Sequence, residues 1–131
     1  MTILHPPGWP RPKGYSCGVS AQGTIVMISG QIGWDANNVF TAHDIAGQVR
    51  QALQNVVTIL AEAGGRPEHI ARLTWYVTDK HEYVAAQREI GAAYRAVLGK
   101  HFPAMSVVAV TALVEDAARV EIEATAIVPH G

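Results

Sequence analysis

Alternation of apolar and polar side chains is strongest in residues 119–128. Successive side chains of a strand point to opposite faces, so this segment predicts a strand with two different faces. One face is wholly apolar and consists of Val120, Ile122, Ala124, Ala126 and Val128. The other face begins with Glu121 and Glu123 and continues as Thr125 and Ile127. A face that carries two acids and then turns apolar indicates a surface that is partly wet and partly covered, as at a cleft or a subunit contact.

Four further strands and two helices are predicted from the same kind of pattern. Asp44 is a good helix N-cap, and the apolar residues after it recur at spacings of three and four until Gly64-Gly65 end the helix. Asp79 is a candidate cap for a second helix, from Glu82 to Leu98. The additional strands cover residues 15–21, 24–29, 72–78 and 105–110, with Gln22-Gly23 as a hairpin turn between the first two.

This order, ββαβαββ, predicts a two-layer α+β domain with two helices on one face of a sheet. The chain has 131 residues, which favours a single domain over residues 1–131. Residues 1–14 hold four of the seven prolines and form an N-terminal arm that is neither helix nor central strand. No segment remains to cover the second sheet face, so self-association is the natural cover.

Composition narrows the class of protein. Charged residues make up 16% of the chain and hydrophobic residues 49%, which favours an oligomer. The net charge is -1 without a basic stripe, and this disfavours nucleic-acid binding. The single cysteine, Cys17, excludes an internal disulfide. No signal peptide or membrane span is visible, so the cytoplasm is the default location.

The candidate chemistry starts from the two acids of the last strand. Glu121 and Glu123 point the same way, about 7 Å apart along a strand. Such acids are usually solvated, but a carboxylate screened from water has a raised pKa and can exchange protons near neutral pH. The six histidines lack metal-ligand spacing, so no metal site is predicted. The loop from Gly30 to Gly33 matches no phosphate-binding motif, and it is either a tight strand exit or a place where backbone amides approach a ligand.

Several short motifs occur together in a fixed order, and together they resemble one family. They cover roughly residues 14–128, and the chain is similar to the reactive-intermediate deaminase family (Rid, also called YjgF or L-PSP endoribonuclease-like). Each motif alone is weak, whereas six in order are specific. The motifs are Gly14-Tyr15-Ser16, Ile28 to Gly33, the helix stretch Gln48 to Gly64, Tyr76 to Asp79, Pro103-Ala104 and Val120 to Ala124.

The resemblance implies a chorismate-mutase-like fold and a homotrimer in which three sheets form a central barrel. It also implies ligand clefts at the subunit contacts, where family members hydrolyse reactive imines or enamines without a metal or organic cofactor. By the same resemblance, Glu121 positions or activates the attacking water. The implied substrate-binding residues are Tyr15, Ser29, Gly30, Gln31 and the residue at position 105.

Position 105 departs from the family pattern. The family has an arginine in a Pro-Ala-Arg motif, which grips the substrate carboxylate, whereas this chain has Met105. Methionine has no donor and no charge, and Val107 makes the same strand more apolar. No obvious arginine nearby replaces the family's arginine, and Arg119, two residues from Glu121, is expected to face the same side as that acid.

Three functions follow as hypotheses. The first is a divergent imine or enamine deaminase that acts through Glu121, with the standard activity on 2-aminoacrylate in question. The second is a non-catalytic trimer that binds a small ligand or a partner in the same clefts, which Met105 favours. Ribonuclease activity ranks last, because the chain has neither a basic groove nor an evident histidine pair.

Overall fold

The computed structural model describes residues 1–131 and contains six strands and three α-helices. The main sheet has the strand order β3-β6-β4-β5, in which β4 and β5 are parallel and the other neighbours are antiparallel. The helices pack on one face of this sheet, so the predicted α+β class with a mixed sheet is confirmed. The bounds are β1 Thr2–Leu4, β2 Gly18–Ser20, β3 Thr24–Ile32, α1 Ile45–Glu62, β4 Ile70–Val77, α2 Lys80–Ala85, α3 Gln87–Leu98, β5 Ala104–Ala109 and β6 Val120–Val128.

The alternation that dominates the sequence is the alternation of β6 in the structure. Its apolar face, from Val120 to Ala126, is buried against the helices, while Glu121 and Glu123 lie on the opposite face. Neighbouring β4 shows the same division, because Trp75 is buried in the core and Tyr76 faces the other way. Trp75 and Tyr76 therefore mark the two faces of the sheet.

The N-terminal segment differs from the predicted hairpin. β2 does not pair with β3; it pairs with β1, in the register Thr2↔Ser20, Ile3↔Val19 and Leu4↔Gly18. A strand of three residues is too short for its hydrophobic pattern to indicate a partner. Any neighbouring strand that can form hydrogen bonds with its backbone groups is a possible partner. The arm therefore contributes a strand to a separate two-stranded sheet, and β3 becomes an edge strand of the main sheet.

The second predicted helix is two helices. Asp79 caps α2 as expected, and its side chain accepts hydrogen bonds from the backbone N–H groups of His81 and Glu82. The helix breaks at Ala86, where φ is -100° and ψ is 15°. Residues on both sides of the break contact the same indole, since the rings of Tyr83 and Tyr94 each lie 6.4 Å from that of Trp75.

Helix α1 begins and ends where the sequence predicts. The Asp44 carboxylate accepts a hydrogen bond from the backbone N–H of Gly47 at 3.1 Å. At the other end, Gly64 has φ +73°, a conformation that residues with a Cβ rarely adopt. The helix face between these ends is apolar and fully buried, with Val49, Leu53, Val56 and Leu60 at 0% exposure.

One polar residue of α1, Gln48, is also completely buried. Its amide nitrogen donates to the carbonyls of Ala42 and Ala117, and its amide oxygen accepts from the backbone N–H of Arg119 at 2.8 Å. These bonds join the segment before α1 to the segment before β6. The start of β6, including the position of Glu121, therefore depends on a side chain in α1.

Replacing Gln48 with Met is expected to destabilise the fold by about 3 kcal/mol, because backbone groups in the interior lose their partners. The measurement is urea unfolding, with a lower midpoint and an unchanged slope. Gln54 is an exposed residue of the same helix, and Gln54→Met is expected to change stability by less than about 0.5 kcal/mol. Equal midpoints for the two variants would show that the three bonds of Gln48 contribute little net stability.

The sheet face opposite the helices is uncovered in the single chain. It exposes apolar side chains at levels unusual for a strand, with Ile25 at 64% and Met27 at 74%. The structure thus has the bare sheet face that the sequence predicts. None of its helices is long and apolar enough to cross a membrane.

Candidate functional site

The carboxylate of Glu121 lies directly against the backbone of Gly30. A Cβ built on Gly30 would lie 2.6 Å from Oε2 of Glu121, so a larger residue there would push the carboxylate out of its present position. The Glu121 side chain is half-buried, and its carboxylate has no hydrogen-bond partner in the chain, although the Glu121 backbone is paired with the strands on both sides. A carboxylate that is partly screened and has free acceptor sites can bind a water or a substrate N–H.

The loop opposite Glu121 is held by two polar side chains. The register of β3 against β6 shifts between Ile28 and Gln31, so Ser29 and Gly30 form a bulge beside the acid. Gln31 donates from Nε2 to the backbone carbonyl of Ser29 at 3.1 Å. From α1, Asn55 donates to the carbonyls of Ile32 and Trp34. The bulge is thereby fixed at both the strand and the loop that follows it.

A tyrosine and a second acid lie beside Glu121 on the same sheet face. The Tyr76 hydroxyl donates to Oε1 of Glu123 at 2.8 Å. This hydrogen bond is the main cause of a raised Tyr76 pKa, to which partial burial and the charges of Glu123 and Glu121 also contribute. The Tyr76 hydroxyl therefore stays protonated at neutral pH and donates a hydrogen bond to the Glu123 carboxylate, whereas the Glu121 carboxylate has no such partner.

Tyr15 and Met105 lie together on the other face of the sheet. Met105 pairs with Leu73 of the core, so its side chain points toward the helices. The neighbouring residue Ser16 fixes Tyr15 beside this strand, because its backbone N–H bonds to the carbonyl of Pro103 and its hydroxyl bonds to that of Phe102. Tyr15 is 43% exposed and lines the same cavity as Met105.

The residues that the resemblance implicates thus form two groups in one chain. Ser29, Gly30, Gln31 and Glu121 lie at the β3 side of the main sheet, whereas Tyr15 and Met105 lie at β5. β3 and β5 are the two outer strands of the sheet, and the side chains of Glu121 and Met105 point to opposite faces. A single chain therefore does not bring these six residues into one cleft.

Arg119 is not available to either group. Its guanidinium forms an ion pair with Glu82 and also donates from Nε to the carbonyl of His43 at 2.6 Å. Glu82 lies in α2, so this pair ties the start of β6 to the helical layer. The expectation that Arg119 shares the face of Glu121 is therefore wrong, because its side chain extends to Glu82 in α2.

The cavity beside Met105 is lined by two cationic side chains that were not identified from the sequence. It has a volume of about 560 Å³, and Lys13 and Arg95 are among its lining residues. Arg95 lies four positions after Gly91, a spacing that places both on one side of α3. That spacing is visible in the sequence, but only the folded structure shows that Gly91 and Arg95 line the same cavity as Met105.

A larger cavity, of about 720 Å³, lies beneath the N-terminal arm. It shares Tyr15 with the cavity beside Met105 and is lined also by the exposed Cys17. None of the other predicted site residues lines it. Volume alone therefore does not identify it as the functional site.

Known proteins resemble this chain over most of its length. The sequence profile of the Endoribonuclease L-PSP family matches residues 10–128. The 2-iminobutanoate/2-iminopropanoate deaminase of Salmonella typhimurium is 36% identical over 108 residues, which is 80% of each chain. A RutC family protein of Pyrococcus horikoshii is 35% identical over 119 residues, 89% of this chain and 90% of the relative.

Solved structures agree with the sequences. The Rid-family protein YyfB of Yersinia pestis superimposes with a TM-score of 0.85 at 31% identity and covers 96% of this chain and 97% of its own. The YjgF protein of Escherichia coli superimposes with a TM-score of 0.69 at 32% identity, over 97% of this chain and 98% of its own. Family profile, relatives and folds lead to one conclusion: this chain belongs to the Rid family, also known as YjgF or Endoribonuclease L-PSP.

Proposed function

We propose that this protein hydrolyses a reactive imine or enamine to a carbonyl compound and ammonia, with Glu121 as the catalytic acid-base group. The observation that carries this proposal is the Glu121 carboxylate, which lies against Gly30 without a hydrogen-bond partner in the chain. The similarity to an imine deaminase at 36% identity supports the same reaction class.

The reaction needs one group that can accept and return a proton. Glu121 takes a proton from water as the oxygen bonds to the imine carbon, and the C=N electrons move to nitrogen. The same proton then reaches nitrogen and gives a carbinolamine. Glu121 next accepts the hydroxyl proton as the C=O bond forms and passes it to the same nitrogen, so the C–N bond breaks and ammonia leaves. An enamine enters this sequence after protonation at its β-carbon. A positioned carboxylate typically accelerates such proton transfers about 10²–10⁴-fold.

We further propose that the site is completed by a second copy in a homotrimer. The bare sheet face with Ile25 and Met27 gives each copy an apolar surface to bury. In such a ring, the β3 side of one copy meets the β5 side of the next, as in a heterologous interface. Glu121 of one copy then faces Tyr15 and Met105 of its neighbour.

Within this composite site each residue has a proposed role. Gly30 lets the carboxylate and the substrate approach the backbone. Ser29 and Gln31 shape that wall, because the Gln31 amide donates to both the carbonyl and the hydroxyl of Ser29. Tyr15 lies at the mouth and Met105 provides apolar contact. The proposed reaction needs no metal or organic cofactor, and its partners are a small-molecule substrate and two further copies of the chain.

Two inactive variants should restore activity when they are combined in one oligomer. Glu121→Gln disables one half of the site, and Tyr15→Glu places a negative charge at the mouth of the other half. In randomly mixed rings, about a quarter of the interfaces join two intact halves. We therefore expect co-purified mixed assemblies to release ammonia at about a quarter of the wild-type rate per site.

The control is a mixture of the two separately purified variants, which is assayed before their subunits have time to exchange. It should stay as inactive as each variant alone. Mixed assemblies without recovered activity would show that the two groups of residues do not share a site. Sedimentation of the wild-type chain as a monomer would contradict the trimer.

A second candidate function is a non-catalytic trimer that binds a small ligand in the same clefts. Met105 favours it, because it replaces the residue that would hold a substrate carboxylate. The two functions differ in their products: a binding protein retains an imine analogue without releasing ammonia from any imine. Glu121→Gln could then alter only ligand binding, because there is no ammonia release to lose.

A further inference from the structure

The cavity beside Met105 is lined by most of the aromatic residues of the protein. It lies between helices α2 and α3, strands β4 and β5 and residues 13–15. The chain has three Trp, four Tyr and two Phe residues. Five of these nine line this one cavity: Tyr15, Trp75, Tyr83, Tyr94 and Phe102.

The aromatic wall is fixed in place. Tyr94 and Phe102 are stacked with ring centroids 5.8 Å apart and planes 5° apart, and Trp75 lies against Tyr94 at 6.4 Å and 24°. The Tyr94 hydroxyl donates to the carbonyl of His101, which holds the ring in its plane. Rings that are already ordered lose little entropy when a ligand binds, so this wall suits a flat apolar body.

The charges at the cavity have one sign. Lys13 and Arg95 line it, and no Asp or Glu does. Arg95 forms no salt bridge and no side-chain hydrogen bond within the chain, so its five donors are free. Nη1 of Arg95 lies 3.2 Å from the position where a Cβ of Gly91 would be, and Gly91 itself lines the cavity. The guanidinium of Arg95 therefore lies against α3 at the wall of the cavity.

The indole of Trp75 has a polar group without a partner. Trp75 is 2% exposed, and its Nε1 has no hydrogen-bond acceptor in the chain. That nitrogen is inaccessible to a ligand in the cavity, so Trp75 contributes to the cavity only as part of its aromatic wall. Two cationic side chains and an aromatic wall around one space describe a site for an anion with a flat apolar body.

We infer that Arg95 and Lys13 hold the substrate carboxylate that Met105 cannot hold, and that the substrate is an imino or enamine acid with an aromatic side chain. This inference rests on the proposed function. The anionic anchor has moved from the strand to α3, which leaves the aromatic wall and the apolar Met105 to contact the side chain. Small imino acids would reach the cations without filling this space and would bind more weakly.

The test is calorimetric titration of the purified full chain with 2-oxo acids, which resemble the reaction product. Phenylpyruvate is expected to bind at least about tenfold more tightly than 2-oxobutanoate. Arg95→Met should weaken phenylpyruvate binding about 10- to 100-fold, the usual loss when a charged hydrogen-bond partner is removed. Arg88 lies on α3 outside the cavity, so Arg88→Met is the matched control and should bind as the wild type does.

Lys13→Met provides a second, independent variant, in an exposed segment outside the helices and strands. It should weaken phenylpyruvate binding by a smaller factor. Equal affinity of the wild type and both cavity variants for phenylpyruvate would overturn the inference, as would equal affinity for the two 2-oxo acids.

Binding and turnover separate this inference from the proposed function. Imines are generated in place from phenylalanine or alanine by an amino-acid oxidase, and ammonia release is timed. If phenylpyruvate binding depends on Arg95 but no imine is hydrolysed faster than in buffer, the ligand class stands and the enzyme proposal fails. If the alanine-derived imine is preferred and Arg95→Met hydrolyses it normally, the enzyme proposal stands and the inference about Arg95 fails.

Discussion

Replacement of Glu121 by Gln is expected to lower the rate of imine hydrolysis about 10²–10⁴-fold. Glutamine fills the same space against Gly30 but cannot accept the proton of the attacking water. The substrate-binding groups on the β5 side are untouched, so KM should change much less than kcat. Single-turnover ammonia release from an enzymatically generated imine measures the effect without interference from product release.

The matched control is Glu123→Gln, which makes the same change two residues away on the same face of β6. The Tyr76 hydroxyl already occupies Glu123, and an amide oxygen can still accept that hydrogen bond. We expect Glu123→Gln to retain activity within about tenfold of the wild type. Equal losses in the two variants would mean that the negative charge of the sheet face, and not proton transfer by Glu121, is what the reaction needs.

The sequence predicted the parts of the fold that are set by local periodicity and by caps. The two faces of β6, the Asp44 cap and the glycine end of α1 all depend on residues close in sequence. The partner of β2 could not be predicted, because it is a three-residue strand that pairs with the arm across a proline-rich segment. The break at Ala86 was also missed, since nothing in that residue type ends a helix.

For a similar reason, the sequence identified some residues of the site and missed others. Alternation along β6 put Glu121 and Glu123 on one face but gave no means to tell them apart. The Tyr76 hydroxyl distinguishes them in space, because it occupies only Glu123. Arg95 could not be identified from the sequence, because only the folded structure shows that this residue of α3 lines the same cavity as Met105.

Replacement of Met105 by Arg is expected to raise kcat/KM for small imino acids about 10- to 100-fold. A guanidinium at this position can form paired, charge-assisted hydrogen bonds with a substrate carboxylate, which are worth about 1.5–3 kcal/mol. Met105 is half-buried at the cavity wall, so the longer side chain can extend into the open space. The measurement is ammonia release from the alanine-derived imine, with Met105→Leu as the control that changes shape without adding charge.

The same replacement should lower the preference for aromatic imino acids, because the carboxylate would then be held nearer the strand and the aromatic side chain would no longer fit along Trp75 and Tyr94. Combining it with Arg95→Met sharpens the comparison, since the double variant has only the strand anchor. If Arg95 is the present anchor, its loss should cost much less in the Met105→Arg background than in the wild type, a coupling between neighbouring sites that a double-mutant cycle measures. Additive losses would mean that Arg95 and residue 105 do not bind the same carboxylate.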